Sequence, residues 1–111
     1  MGRSLLDGHV LVDQLSALAS PHRLRIVAVL ARDGRQYVSE LARRVGMSRP
    51  LLYLHLEKLE AAGFVRSELS LSGDGKALKW FEVRDFELRL SPEVIVAAAA
   101  SITNHRSQEK D

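Results

Sequence analysis

The sequence predicts a mainly α fold with a small β wing, an α+β domain of about five helices and a two- to three-stranded antiparallel hairpin or sheet. Three observations carry this expectation. Apolar residues recur at helical spacing through most of residues 9–62. Two of the helical runs, within SELARRVGMSRPLLYLHLEKLEAAGFV, are separated only by Gly46-Met47-Ser48. After Val65 the spacing changes to alternation, broken by Ser72-Gly73-Asp74-Gly75.

Leu11, Leu15, Leu18 and Ala19 place a first helix at about His9 to Ala19. Ser20-Pro21 then supplies an N-cap followed by proline at the first helical position. Leu24, Val27, Leu30 and Ala31 are the expected inner face of this second helix, and Asp33-Gly34 ends it. Tyr37-Val38 reads as a short extended link. Ser39 is the expected N-cap of the third helix, with Glu40 in the first turn, where the helix dipole favours a carboxylate. Leu41, Ala42 and Val45 face inward. Gly46 can take the left-handed conformation that closes a helix.

Ser48 caps the fourth helix. Pro50 is tolerated there because first-turn amides have no intrahelical partners. Leu52, Leu56 and Leu59 make the buried stripe, which ends near Ala62-Gly63. Val65, Leu69 and Leu71 share one face of a strand, and Leu78 to Val83 returns as the second, with Asp74-Gly75 as the hairpin signal. Phe86, Leu88 and Leu90 alternate with Glu87 and Arg89, which predicts one more short strand. Ser91-Pro92-Glu93 repeats the cap-then-proline start. A last helix follows through Val94 to Ala100, apolar on every side.

A chain of 111 residues with 46% hydrophobic and 27% charged residues fits one globular domain with a modest core. Residues 1–103 are read as that domain, with dimerisation helices at its ends, and 104–111 as a polar tail. The net charge of +2 hides an asymmetry. Arg43, Arg44, Arg49, Lys58 and Arg66 outnumber Glu57 and Glu60 around the quoted stretch, where a polyanion would find them. Asp85, Glu87, Glu93, Glu109 and Asp111 make the C-terminal quarter acidic, against Arg89, Arg106 and Lys110. The chain has no cysteine, which removes disulfides and thiolate metal sites and fits a cytoplasmic location. No apolar run is long enough to cross a bilayer, so no membrane partner is expected.

Two helices joined through a short glycine-containing turn form a helix-turn-helix, and a hairpin directly after them is a wing. In that geometry the second helix leads into the DNA major groove with its N-terminal residues. Arg49 at that end can reach guanine O6 and N7, or a phosphate. Stepping about 100° per residue from Leu52 places Pro50, Tyr53, Leu54 and Glu57 outward. Tyr53 can bond a phosphate or a base edge, or it can pack. Leu54 can touch a thymine methyl, although Leu51 and Leu54 also suit packing against a neighbour. Lys76 and Lys79 follow the hairpin turn and suit phosphate contact.

The segments ALASPHRLRIVAVL, VSELARRVGMSRPLLYLHLEKLEAAGFV and GDGKALKWFEV, in that order, resemble the ArsR-like winged helix-turn-helix regulators over roughly residues 15–83. The resemblance implies that Ser48, Arg49, Pro50 and Tyr53 occupy recognition-helix positions, and that Lys76 is a basic wing residue. His55-Leu56 matches a histidine-leucine pair of the family. It also implies a homodimer, built by the terminal helices, that represses a promoter until a signal releases it. Metal-sensing cysteines of that family are absent, and Asp85 and Glu87 precede the last helix instead of lying on it.

The expected partners are therefore double-stranded DNA and a second copy of the chain, with a small-molecule effector left open. The DNA-binding candidates are Ser48, Arg49, Pro50, Tyr53, Leu54, Lys58, Lys76 and Lys79. The dimer candidates are Leu11, Leu15, Val94, Ile95, Ala98 and Ile102. No cofactor or metal is expected, because His9, His22 and His105 are scattered and His55, beside the buried stripe, suits a structural role. An enzyme is not expected: there is no glycine-rich phosphate loop, nucleophile elbow or His-Glu metal motif. The alternative function is a winged helix used for protein contact without sequence-specific DNA binding.

Overall fold

The computed structural model describes residues 7–102; the expected tail at 104–111, with His105, lies outside them. Helix α1 (Gly8–Leu18) starts on the Asp7 carboxylate, which accepts from the amides of His9 and Val10. Helix α2 (Pro21–Asp33) starts on Ser20, whose hydroxyl oxygen accepts from the Arg23 amide. Strand β1 (Gln36–Tyr37) leads directly into α3 (Val38–Val45). Gly46, at φ 69° and ψ 40°, closes α3 in the left-handed conformation. Helix α4 (Arg49–Ala61) starts on Ser48, whose side chain accepts from the Leu51 amide. Strands β2 (Val65–Leu71) and β3 (Ala77–Val83) form the wing, and α5 (Pro92–Ala99) starts on Ser91.

The core fills the space between α2, α3, α4 and the base of the wing. Ile26, Leu30, Leu41, Leu52, Leu56, Leu59, Phe64, Val65 and Phe81 are essentially inaccessible there. The inward faces expected for α3 and α4 are the ones buried. The one expected for α2 is buried only in part: Leu30 is inaccessible and Val27 packs on the core. The buried residues of α2 are Ile26, Val29 and Leu30, whereas Leu24 is 54% exposed and Ala31 is exposed. Both faces carry apolar residues, so spacing alone does not choose between them. Packing against α3, α4 and β3 does.

The sheet order is β1-β3-β2, antiparallel throughout, with Tyr37 opposite Trp80 and Leu69 opposite Lys79. The third strand is thus Gln36–Tyr37, and the one expected at 86–90 does not form. Both edges of β3 are already taken by β1 and β2. The 86–90 segment runs over the core instead: Phe86 meets Phe64 edge-on at 4.7 Å, and Leu88 packs on the main cluster. The same pairing shifts the start of α3. The helix begins at Val38 with Tyr37 as an N-cap that makes no side-chain bond, so Ser39 is not the cap.

On β2 the expected face is only half covered. Val65 is buried, but Leu69 and Leu71 are 67% and 75% exposed because the hairpin extends past the core. At the other end of the domain α5 lies on α1. The Gly8 amide donates to Ser101 Oγ at 2.7 Å, and a Cβ at Gly8 would fall 2.3 Å from the Ala98 carbonyl oxygen. Glycine is what permits this approach.

Candidate nucleic-acid interface

The start of α4 projects from the core because Leu52, Leu56 and Leu59 anchor its opposite side. Ser48, Arg49 and Pro50 are exposed, and Leu51 and Leu54 are 42% and 58% exposed. Tyr53 is half-buried, and its ring meets Phe81 of β3 edge to face at 6.4 Å. The Lys79 ammonium lies 5.8 Å from the Tyr53 ring centroid and 5.5 Å from that of Phe81. Attraction between a cation and an aromatic face holds such a lysine over the rings. Tyr53 therefore packs, and through that packing it links recognition helix and wing.

These residues line a cleft of about 350 Å³ between α4, the wing and the start of α3. Arg49, Tyr53, Lys79 and Leu69 line it together with Val38 and Ser39; the lining has two cations and no carboxylate. Such a surface favours a polyanion. Ser39 and Tyr37 belong to this lining although the sequence marked them only as a cap and a link. Their placement depends on β1 pairing with β3, which no local pattern announces.

The charge surplus around 43–66 is less available than the sequence implies. Arg44 pairs with Asp33 at 2.8 Å and Glu40 at 3.5 Å, and Arg43 pairs with Glu40 at 3.2 Å. Arg66 pairs with Glu68 at 2.7 Å and Glu82 at 3.3 Å. Arg49, Lys58, Lys76 and Lys79 form no ion pair with another described residue. Lys76 stands at the wing tip, which its own backbone orders. Its amide donates to Ser72 Oγ at 3.2 Å and to Asp74 Oδ1 at 3.3 Å. The Ser72 hydroxyl also donates to Asp74. These bonds, the Ser72 one first, hold the Asp74 carboxyl below the usual carboxylate range. Lys58 stands apart from the cleft. It lines a cavity on the other flank of α4 with Asp13 of α1 and Arg23 of α2.

The opposite sheet face carries Trp80, 7% exposed, with the Arg35 guanidinium 3.8 Å from its ring centroid. Among the terminal-helix candidates, Leu11 and Ala98 are buried within the chain itself, so they join α1 to α5. Val94 is half-buried, whereas Leu15, Ile95 and Ile102 are 39%, 48% and 42% exposed. Val10, Val12 and Val96 are further exposed apolar residues of α1 and α5. His55 holds a structural hydrogen bond with Arg23. Among the described residues no cluster of His, Cys, Asp or Glu is placed to hold a metal ion, and no helix is long and apolar enough to cross a membrane.

Comparison with known proteins converges on one class. A family model described as a helix-turn-helix domain matches residues 18–68, which span α2 to β2. An uncharacterized HTH-type transcriptional regulator of Methanocaldococcus jannaschii is 35% identical over 79 residues, covering 71% of this chain and 81% of the relative. The crystal structure of an ArsR family transcriptional regulator superposes with a TM-score of 0.57 at 24% identity, covering 96% of this chain and 94% of its own. The homodimeric winged helix-turn-helix DNA-binding domain of a possible ArsR-family regulator from Mycobacterium bovis gives a TM-score of 0.56 at 20% identity, covering 92% and 81%. This chain therefore belongs to the HTH-type transcriptional regulators, and it shares the winged helix-turn-helix fold of the ArsR-family structures.

Proposed function

We propose that the chain binds double-stranded DNA sequence-specifically as a two-fold homodimer and acts as a repressor. The α4 helix enters the major groove, and the wing lies on the flanking backbone or minor groove. The carboxylate-free cleft that gathers Arg49, Tyr53 and Lys79 between helix and wing carries this reading. Arg49, Pro50 and Leu54 face the bases, Ser48 and Tyr53 position the helix end, and Lys76, Lys79 and Lys58 meet phosphates. The exposed apolar surface of α1 and α5, including Leu15, Ile95 and Ile102, supports the homodimer, with Val94 at its edge. So does the homodimeric state of the M. bovis neighbour. Two-fold symmetry then sets two α4 helices about 34 Å apart on one face of the duplex. Repression follows if the bound dimer occludes a promoter.

One observation favours a second reading. Leu51 and Leu54 are 42% and 58% exposed where base-reading side chains are usually polar, so the same helix can dock on a protein. Selection of bound sequences from random duplex DNA with the purified chain separates the two. An enriched inverted repeat supports the first reading. Recovery of unbiased sequences at every salt concentration supports the second.

A further inference from the structure

Arg23 of α2 reaches two other helices at once. Its Nε donates to the Ala17 carbonyl at 2.6 Å and its Nη2 to the Ser16 carbonyl at 3.4 Å, both in the last turn of α1. Its Nη1 lies 3.0 Å from Nδ1 of His55 on α4. A guanidinium only donates, so Nδ1 must accept and can carry no proton. The contact therefore exists only while His55 is neutral.

The groups facing His55 oppose its charging. The His22 ring of α2 stands 5.5 Å away, and Arg23 and the Lys58 ammonium of α4 add positive charge. Asp13 of α1 is the one carboxylate lining the adjoining cavity, which holds about 230 Å³ and which Arg23 and Lys58 also line. Burial first, then the charges of Arg23, His22 and Lys58, hold the His55 imidazole below the usual histidine range.

We propose that Arg23 and neutral His55 form a positioning joint that fixes α4 against α1 and α2, and that protonation of His55 opens the joint and weakens DNA binding. The effect on affinity rests on the DNA-binding reading above. A protonated imidazole sets two N–H donors and a positive charge against the guanidinium. Relief comes from withdrawing Arg23 or tilting α4. His55 lies less than two turns after Arg49 on the same helix, so a tilt there displaces the residues that meet the groove. The sign follows from the lowered pKa. The neutral form is favoured in the fold, so the joint is intact above the ordinary histidine pKa and is lost as pH falls through the folded value.

Two measurements on the full chain test this. The His55 ring signal and the Arg23 Nε–H signal are followed by NMR from neutral to mildly acidic pH. The Arg23 signal is expected to broaden together with the His55 titration, below the usual histidine range. In the Arg23→Gln variant the His55 midpoint should rise toward the ordinary histidine value. Fluorescence anisotropy with a short mixed-sequence duplex, at fixed ionic strength, then compares the wild type with His55→Gln. A glutamine carbonyl can accept from Arg23 at any pH. The ratio of wild-type to variant affinity should fall about tenfold on acidification, the size expected for one lost charged hydrogen bond. Identical pH profiles, or an Arg23 signal indifferent to His55, overturn the proposal. If neither protein binds duplex DNA at any pH, the DNA-binding reading and the affinity effect both fail. The NMR titration alone then decides whether the joint exists.

Discussion

Tyr53 of α4 and Phe81 of β3 meet edge to face with their centroids 6.4 Å apart, and this pair keys the wing to the recognition helix. An edge-to-face aromatic pair contributes about 0.5–1.5 kcal/mol beyond the area it buries. Tyr53→Ala should therefore lower stability by about 1–3 kcal/mol, measured as a shift in urea midpoint. Tyr53→Phe should keep the fold. Any loss of DNA affinity in Tyr53→Phe then belongs to the phenol hydroxyl, and unchanged affinity leaves Tyr53 as a packing residue alone.

Arg49 is exposed and makes no ion pair with another described residue, so its removal should not affect folding. Arg49→Ala should cost about 1–3 kcal/mol on a selected site if the arginine contacts guanine bidentately. Titration against the selected site and a scrambled duplex checks this. Equal losses on both would mean a phosphate contact, and no loss would remove Arg49 from the interface.

The wing lysines should act through salt. Each phosphate contact removed lowers the slope of log affinity against log salt by about 0.9. The Lys76→Ala, Lys79→Ala double variant should bind all duplexes more weakly and with a shallower slope. An unchanged slope would place both lysines away from DNA. Lys79→Ala alone should also cost about 0.5–1 kcal/mol of stability, because its ammonium sits over the Tyr53 and Phe81 rings.

Gly8→Ala should separate α1 from α5. The added Cβ would sit 2.3 Å from the Ala98 carbonyl oxygen and 2.5 Å from Ile102 Cγ1, and the first of these is backbone that cannot rotate away. Overpacking of this kind costs about 1–3 kcal/mol. Thermal denaturation should show the loss. Wild-type stability would mean that α5 shifts along α1 at little cost.

Ile95 is 48% exposed, so Ile95→Glu should leave the monomer folded by circular dichroism. In the proposed dimer it would bury an unpaired charge, which is strongly unfavourable. Sedimentation across a concentration series should show the variant dissociating where the wild type remains dimeric. A wild-type chain that stays monomeric at about ten micromolar and above would sink the dimer, since specific regulators of this type work well below that.

The sequence by itself determined the helix-turn-helix and the serine caps of α2, α4 and α5, but not the start of α3. Ser20, Ser48 and Ser91 each precede a proline-containing first turn, and Gly46 sits where only a left-handed residue closes α3. Caps and turns are local chemistry between residues a few positions apart, so they are legible without a fold. The buried stripe of α4 was legible too, because its apolar residues include one clear anchoring side. The tertiary structure alone decided which of two apolar faces of α2 turns inward and that Gln36–Tyr37 supplies the third strand. It also decided that Arg43, Arg44 and Arg66 are tied up while Arg49 and Lys79 share a cleft. These outcomes join residues far apart in the chain. The balance of burial and charge pairing that selects them exists only once the elements have met.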